Sequence, residues 1–344
     1  MTLSQDPTTA APVPPRMGHR AVPDASLLPP LGRQPQPIRL PGTDCLIKPQ
    51  VPLSTLTSYR VGGPAELYVA PRTLEDLQLS LAWANDRGLP VTFLGAGSNL
   101  LVSDRGLPGL VICTRGLRYT HFEEETGQVT AGAGVSLVRL AWQVAERGWQ
   151  GFEWAVGIPG TVGGAVVMNA GAHRSCTADI LVHTRVLERS GEPSLLLPSD
   201  LNYSYRSSSL QTTAASKTQP LRLVTEATLQ LQPGERPETV LATTTDHLNQ
   251  RRDTQPYHLP SCGSVFRNPA SYKAGWLIEQ TGLKGHRIGG AQIAQRHANF
   301  ILNCGGATAN DILNLIRHAQ EQVDRRWSLW LEPEVKMLGE FQMA

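Results

Sequence analysis

Two stretches of this chain set out backbone rather than side chains for chemistry: Gly95-Ala-Gly-Ser-Asn-Leu-Leu101, and the longer run GIPGTVGGAVVMNAGA from Gly157 to Ala172. Glycine permits positive φ and close approach of a ligand, and successive N–H groups in a turn make a concavity for phosphate oxygens. Two such cradles suit a pyrophosphate, although each alone is also the signature of a tight turn. Neither is a dinucleotide fingerprint: GAGSNL lacks the third glycine and the acidic partner, and no G-x-x-x-x-G-K-[ST] occurs, which argues against a Rossmann dehydrogenase and a P-loop NTPase. Nothing is laid out for a metal. Cys45, Cys113, Cys176, Cys262 and Cys304 are scattered without a C-x-x-C, and no H-x-x-x-H pairs the nine histidines, so free thiols in a reducing compartment are expected.

Short, clearly punctuated elements must hold these stretches. A turn-like YRVGGPAE leads to a strand, LYVA. Thr73 and Asp76 then read as a capping box for a helix with Leu74, Leu77, Leu81 and Ala84 on one face and a stop at Gly88. The strand PVTFLG runs straight into the first glycine stretch, and GLVICT follows. VTAGAG and a helix capped by Ser136 and stopped by Gly148 repeat the grammar. After the second glycine stretch, DILVHTRVLER and LRLVTEATLQL read as long strands, the latter alternating through Leu221, Leu223, Thr225, Ala227, Leu229 and Leu231. The linker Gln232–Pro237 marks a domain boundary. A helix from about Pro237 to Arg252, the irregular YHLPSCGSVFRNP, a short helix ending at Thr281 and a helix opening at Thr308 with Asp311 at N3 follow. Helices and strands mix without regular βαβ alternation, so the expected fold class is α+β.

With 344 residues, 40% of them hydrophobic, the chain can bury two cores. A formal charge of +2 without like-charge blocks leaves no footprint for nucleic acid. Ten prolines precede Asp44, and Tyr59 is the first aromatic residue, so residues 1–48 are expected to form a disordered extension before domains at 49–232 and 233–344. No basic start precedes an apolar stretch and no run approaches the ~18 apolar residues of a membrane span, which predicts a cytoplasmic protein.

Eight motifs in order then carry a resemblance: TSYRVGGPAE, FLGAGSNLLVSD, GIPGTVGGAVVMNAGA, YSYRSS, PSCGSVFRNP, AGWLIEQTGLKGHRIGGAQI, HANFILN and LEPEV. From about residue 50 to 340 the chain resembles the UDP-N-acetylenolpyruvoylglucosamine reductase (MurB) family of peptidoglycan synthesis, in its shorter class without the substrate-covering insertion. The resemblance implies an FAD-binding domain of the vanillyl-alcohol oxidase (PCMH) type followed by a smaller α+β substrate domain. It implies noncovalent FAD held by Tyr59, Arg60, Gly62 and Gly63, by Gly95, Ala96, Gly97, Ser98, Asn99 and Leu100, and by Gly157, Ile158, Pro159, Gly160, Thr161, Gly163, Gly164, Asn169, Gly171 and Ala172. Arg206 matches the arginine that stabilises the enolate, Ser264 the proton donor and Glu334 the assisting carboxyl group. The UDP sugar falls to Tyr205, Arg267, Asn268, Gln280 and Lys284. His121 and Cys113 are not placed like flavin-attachment residues. His297 and Asn299 are as readily structural hydrogen-bonding groups, and Trp154 either packs near the flavin or fills the core.

The expected activity is therefore NADPH-dependent reduction of UDP-N-acetylglucosamine enolpyruvate by a monomer with no metal. NADPH and the sugar nucleotide would use one site in turn, since no separate dinucleotide motif exists. A flavin oxidoreductase of the same cofactor fold acting on another alcohol or lactone would not need the trio Arg206, Ser264 and Glu334. A nucleotide-sugar-binding regulator would need no catalysis at all.

Overall fold

The computed structural model describes residues 36–211 and 222–341, which belong to one compact unit. Two five-stranded sheets build the first part. One has the spatial order Ile38–Arg39, Leu46–Pro52, Pro64–Val69, Leu107–Cys113, Val91–Leu94, parallel across the last three strands and antiparallel elsewhere. The crossover between its parallel members is α1 (Leu74–Asp86), opened by the expected box: the Thr73 hydroxyl accepts from the Asp76 N–H while the Asp76 carboxylate accepts from the Thr73 N–H. The second sheet is antiparallel throughout, in the order Pro193–Leu196, Leu181–Glu188, Arg222–Gln230, Gln128–Gly132, Thr120–Glu123. α2 (Leu137–Ala145) turns Leu137, Leu140, Ala141 and Val144 into one core with α3 (Val162–Met168), the short α4 (Thr177–Ile180) and both sheets. Trp154 fills that core, edge-on to Phe152 at 5.5 Å, with its indole N–H donated to Gly151 O.

Residues 36–48 correct the expected extension. Ile38–Arg39 and the start of Leu46–Pro52 belong to the first sheet, and Leu40 and Ile47 are buried in the main core. Proline density concealed this strand. Pro49 and Pro52 sit in a run shielded on one side only by a two-residue partner, where a missing N–H is tolerated. The remainder of the expected extension, residues 1–35, lies outside the described residues.

The boundary expected at 232 also shifts. α5 (Pro237–Thr254) packs against α2, and its Leu248 joins the first core. The second core is drawn mostly from residues past Gln255, joined by Tyr59, Val61 and Leu101. It sets α6 (Ala274–Gln280) and α7 (Ala309–Trp327) against a three-stranded antiparallel sheet of Arg287–Ile288, Ala291–Ile293 and Ile301–Asn303. The chain then returns: Lys336–Leu338 pairs in parallel with Leu100–Val102, directly behind the first glycine stretch. Among the described residues no helix is long and apolar enough to cross a membrane.

Candidate active site

The strand Val91–Leu94 delivers Gly95, and the loop that follows is held by its carbonyl oxygens. Arg115 donates from Nε to Gly95 O (2.9 Å) and from Nη2 to Ala96 O and Leu56 O (2.6 Å each), while Gly97 O accepts from Ser58 N–H (3.0 Å). In a trans peptide the N–H of the next residue points opposite to the carbonyl. Fixing these three oxygens on the protein therefore aims the N–H groups of Ala96, Gly97 and Ser98 away from it. Gly97 has φ +67°, and a Cβ there would lie 2.2 Å from Leu56 O, so the approach of the chain's own backbone demands glycine. The second glycine stretch meets the first at Thr161, whose hydroxyl caps α3 by accepting from Gly164 N–H and would lie 2.9 Å from a Cβ on Gly95.

Two cavities lie on either side of this junction and share Ala96, Pro159, Gly160 and Thr161 as walls. One is about 840 Å³, and the other, about 720 Å³, carries Arg115, Arg118 and Arg139. Outward-facing N–H groups between two hollows that share these wall residues, with guanidinium groups beside one of them, suit an anionic pyrophosphate with a ring system at each end. The residues present fit FAD.

The larger cavity collects residues distant in sequence. Gly95, Ala96, Gly97, Ser98, Asn99 and Leu100 line it, as do Ile158, Pro159, Gly160, Thr161, Gly164, Gly171 and Ala172. On the side of the second core stand Ser264, Phe266 and Asn268, with Tyr205, Arg206 and Glu334 between. Arg206 Nε and Glu334 Oε1 form an ion pair at 3.1 Å, both side chains largely buried. The same guanidinium donates to Gly171 O (2.5 Å) and Asn169 O (3.4 Å), and Arg206 itself sits at φ +54°. Three anchors therefore fix its direction. Burial pushes the Glu334 carboxyl above the usual carboxylate range despite the opposing pull of Arg206, Arg267 and Lys336.

Ser264 follows Gly263, which has φ +74° and no atom within 4 Å of where a Cβ would be, so the serine stands on an open turn. The backbone beyond it is clamped. Asn299 is buried, accepts from Phe266 N–H (2.9 Å) and donates to Phe266 O (2.8 Å), and Val265 N–H donates to Asn299 O. Val265 O accepts from Glu334 N–H (2.7 Å), which ties the serine turn to the segment that carries the carboxylate, just before Lys336–Leu338. The Ser264 hydroxyl makes no hydrogen bond among the described residues and faces the cavity. Nearby Cys262 is buried, its thiol pushed up to about 12 by desolvation, and is inert as a nucleophile at neutral pH.

Several expected ligands lie elsewhere. Tyr59 is fully buried in the second core, its hydroxyl without a partner, and its carbonyl accepts from Asn303. Gly62 and Gly63 face Val102 and Asp104 across a tight backbone contact, and Arg60 is exposed. This segment supports the loop through Ser58 and does not line the cavity. Gly163 abuts Ala133, and Gly157 lies beneath the Arg251 side chain. Asn169 is buried, closing α3 in the left-handed conformation and bonding Ser204 O and Ala178 N–H. Arg267 points inward to Arg206 O, Gln280 is exposed with its carbonyl taken by Arg326, and Lys284 is paired with Glu279 at 2.7 Å; none of the three lines the cavity. Arg115, Arg251, Lys273 and Trp276 were not foreseen. Arg115 stands in an unremarkable TRG, and its value lies in carbonyls 19 to 59 residues away.

Comparison with known proteins bears on the cofactor and the family. A model of the FAD binding domain matches residues 65–194, and one of the C-terminal domain of UDP-N-acetylenolpyruvoylglucosamine reductase matches 255–338. The chain is an FAD-dependent oxidoreductase. The UDP-N-acetylenolpyruvoylglucosamine reductase of Nostoc sp. strain PCC 7120 is 66% identical over 307 residues, covering 89% of this chain and 91% of that protein. The Synechocystis sp. strain PCC 6803 protein of the same name is 55% identical over 304 residues, 88% of this chain and 94% of its own. The crystal structure of the Thermus caldophilus reductase superposes with a TM-score of 0.71 at 34% identity, over 85% of this chain and 99% of that one. The chain belongs to the UDP-N-acetylenolpyruvoylglucosamine reductase family.

Proposed function

We propose that the larger cavity carries out the NADPH-dependent reduction of UDP-N-acetylglucosamine enolpyruvate to UDP-N-acetylmuramate, a step of peptidoglycan precursor synthesis. The observation that carries this reading is the anchored Arg206–Glu334 pair sharing a cavity wall with the unpaired Ser264 hydroxyl, opposite the glycine cradle. The glycine cradle oriented by Arg115 would hold FAD, which would supply the hydride exchange between NADPH and the vinyl carbon of the substrate. The electron pair displaced from the double bond moves toward the substrate carboxylate as an enolate. Arg206, permanently charged and held by Glu334, Gly171 O and Asn169 O, meets that charge without reorganising. Ser264 gives its proton to the carbon bearing the carboxylate. Glu334, its carboxyl pushed up by burial, holds Arg206 and assists the same charge. Tyr205 and Asn268, joined by a 3.4 Å hydrogen bond, line the path for the rest of the sugar nucleotide. The reading extends to a cytoplasmic monomer, which sedimentation at micromolar concentration would test.

The decisive experiment separates the half-reactions by stopped-flow absorbance. Ser264→Ala should leave flavin reduction by NADPH near the wild-type rate and slow reoxidation by the enolpyruvyl substrate ~10²–10⁴-fold, the range for a lost general acid. Equal slowing of both would make Ser264 a structural turn residue.

A further inference from the structure

We propose that Arg267, together with Gln211, is a positioning residue for Arg206, holding the backbone of that arginine so that its guanidinium stays aimed at the cavity. This rests on Arg206 being the group that meets the enolate. Arg206 occupies the third place of the tight turn Ser204–Ser207, closed by Ser207 N–H on Ser204 O (3.1 Å) and Ser204 N–H on Ser207 O (3.2 Å). Its φ of +54° is one that glycine or asparagine ordinarily supplies there. An arginine in such a place relaxes toward negative φ unless its surroundings over-determine it. Relaxation would swing the Cα–Cβ bond and carry the guanidinium off Glu334, Gly171 O and Asn169 O.

Those anchors hold only the far end of a long side chain; the carbonyl is the near handle. Arg206 O accepts from Arg267 Nη2 (3.0 Å) and from Gln211 Nε2 (2.9 Å), and neither donor residue lines the cavity. The two grips come from different parts of the molecule. Gln211 also donates to Val167 O (3.1 Å), beside the bonds from Tyr203 Oη to Val166 O (3.0 Å) and from Ser208 Oγ to Val167 O (2.6 Å), so it fastens the turn to α3. Arg267 belongs to the run of the catalytic serine. Ser264, Phe266 and Asn268 line the cavity, Arg267 falls between the last two, and its N–H is donated to Glu332 O (2.9 Å). It therefore ties the aim of Arg206 to the segments that carry Ser264 and Glu334. A guanidinium is retained here although its Nε is buried without a hydrogen-bond partner among the described residues, a burden that an apolar side chain of similar length would avoid.

The test follows the two half-reactions of the FAD-loaded enzyme by stopped-flow absorbance. Arg267→Met should slow reoxidation by the enolpyruvyl substrate roughly 10- to 10²-fold, the scale of a misplaced catalytic group, and leave flavin reduction by NADPH within about twofold. Arg267→Lys, which keeps a donor, should recover part of that rate. Gln211→Met removes the other donor without changing the charge and should slow the same step. The sharpest readout is the double variant: in an Arg206→Met background, Arg267→Met should cost less than about twofold further, because its effect passes through Arg206. Flavin absorbance and a thermal melt show whether each variant is folded; if Arg267→Met is not, Gln211→Met with and without Arg206→Met gives the same comparison. Wild-type reoxidation in the folded single variants, or an undiminished effect of either in the Arg206→Met background, would overturn the positioning role while leaving the reaction intact. Wild-type reoxidation in Arg206→Met itself would overturn the assignment of that arginine, and the positioning role with it.

Discussion

Replacing Arg115 tests whether the flavin cradle is built by its carbonyls. The side chain makes three hydrogen bonds of 2.6 to 2.9 Å to Gly95, Ala96 and Leu56. A bond from a charged donor contributes about 1.5–3 kcal/mol. Arg115→Lys keeps the charge and has reach for one carbonyl, so two bonds are lost, about 3 kcal/mol at the low end because the second cavity admits water to the vacated oxygens. If that energy serves to orient the Ala96, Gly97 and Ser98 N–H groups, FAD affinity should fall roughly 10²-fold. The assay is fluorescence titration of apoprotein with FAD, with circular dichroism to show that the apoprotein is folded. A folded Arg115→Lys that bound FAD within about threefold of wild type would refute the reasoning, and the cradle would have to be fixed by Ser58 and Thr161 alone.

Removing residues 36–48 should yield insoluble protein or a loss of several kcal/mol, since Leu40 and Ile47 are buried and each large side chain emptied from a core costs about 2–5 kcal/mol; thermal melts of Leu40→Ala and Ile47→Ala check this singly. Asn299→Ala should lower stability by about 2–4 kcal/mol, read from urea unfolding, because it orphans both polar groups of buried Phe266. Burial first, and then neighbouring cations or a second imidazole, lowers the pKa of His173, His297 and His318. Folding then favours the neutral rings, so their contribution is present above about pH 6.5 and is lost as pH falls through the folded values. Glu334 acts in the opposite sense, but as one group against three. The melting temperature should therefore decline from pH 7.5 to 5.5, with a shallower slope in His318→Gln; a flat profile would show that these shifts carry no stability.

What could be read from the residues depended on how local the signal was. The boxes at Thr73–Asp76 and Thr308–Asp311 were visible because both partners lie within one turn. The trio Arg206, Ser264 and Glu334 came through motif resemblance, and the fold brings them to one cavity. Tyr59–Gly63 misled because a glycine pair required by backbone crowding against Val102 and Asp104 has the same spelling as one required by a ligand. The strand Leu46–Pro52 was hidden by its prolines, and the allegiance of α5 by a linker that resembles a boundary yet leads to a helix folded back on α2. Arg115 had no local signal, because its meaning resides in oxygens contributed by other segments.

The parallel pairing of Lys336–Leu338 with Leu100–Val102, sealed by Lys336 N–H on Asn99 O, has a consequence for biosynthesis. The glycine loop leaves the ribosome about two-thirds of a chain before its partner strand, an interval of roughly 10 to 50 s at ordinary elongation rates. Throughout that time Leu100–Val102 is an open edge, and the carboxylate that orients Arg206 does not yet exist. A chain stalled or clipped before Glu334 therefore lacks both the carboxylate that holds Arg206 and the strand that closes the loop. The loop behind the first glycine stretch thereby closes only once Lys336–Leu338 has been made and has docked.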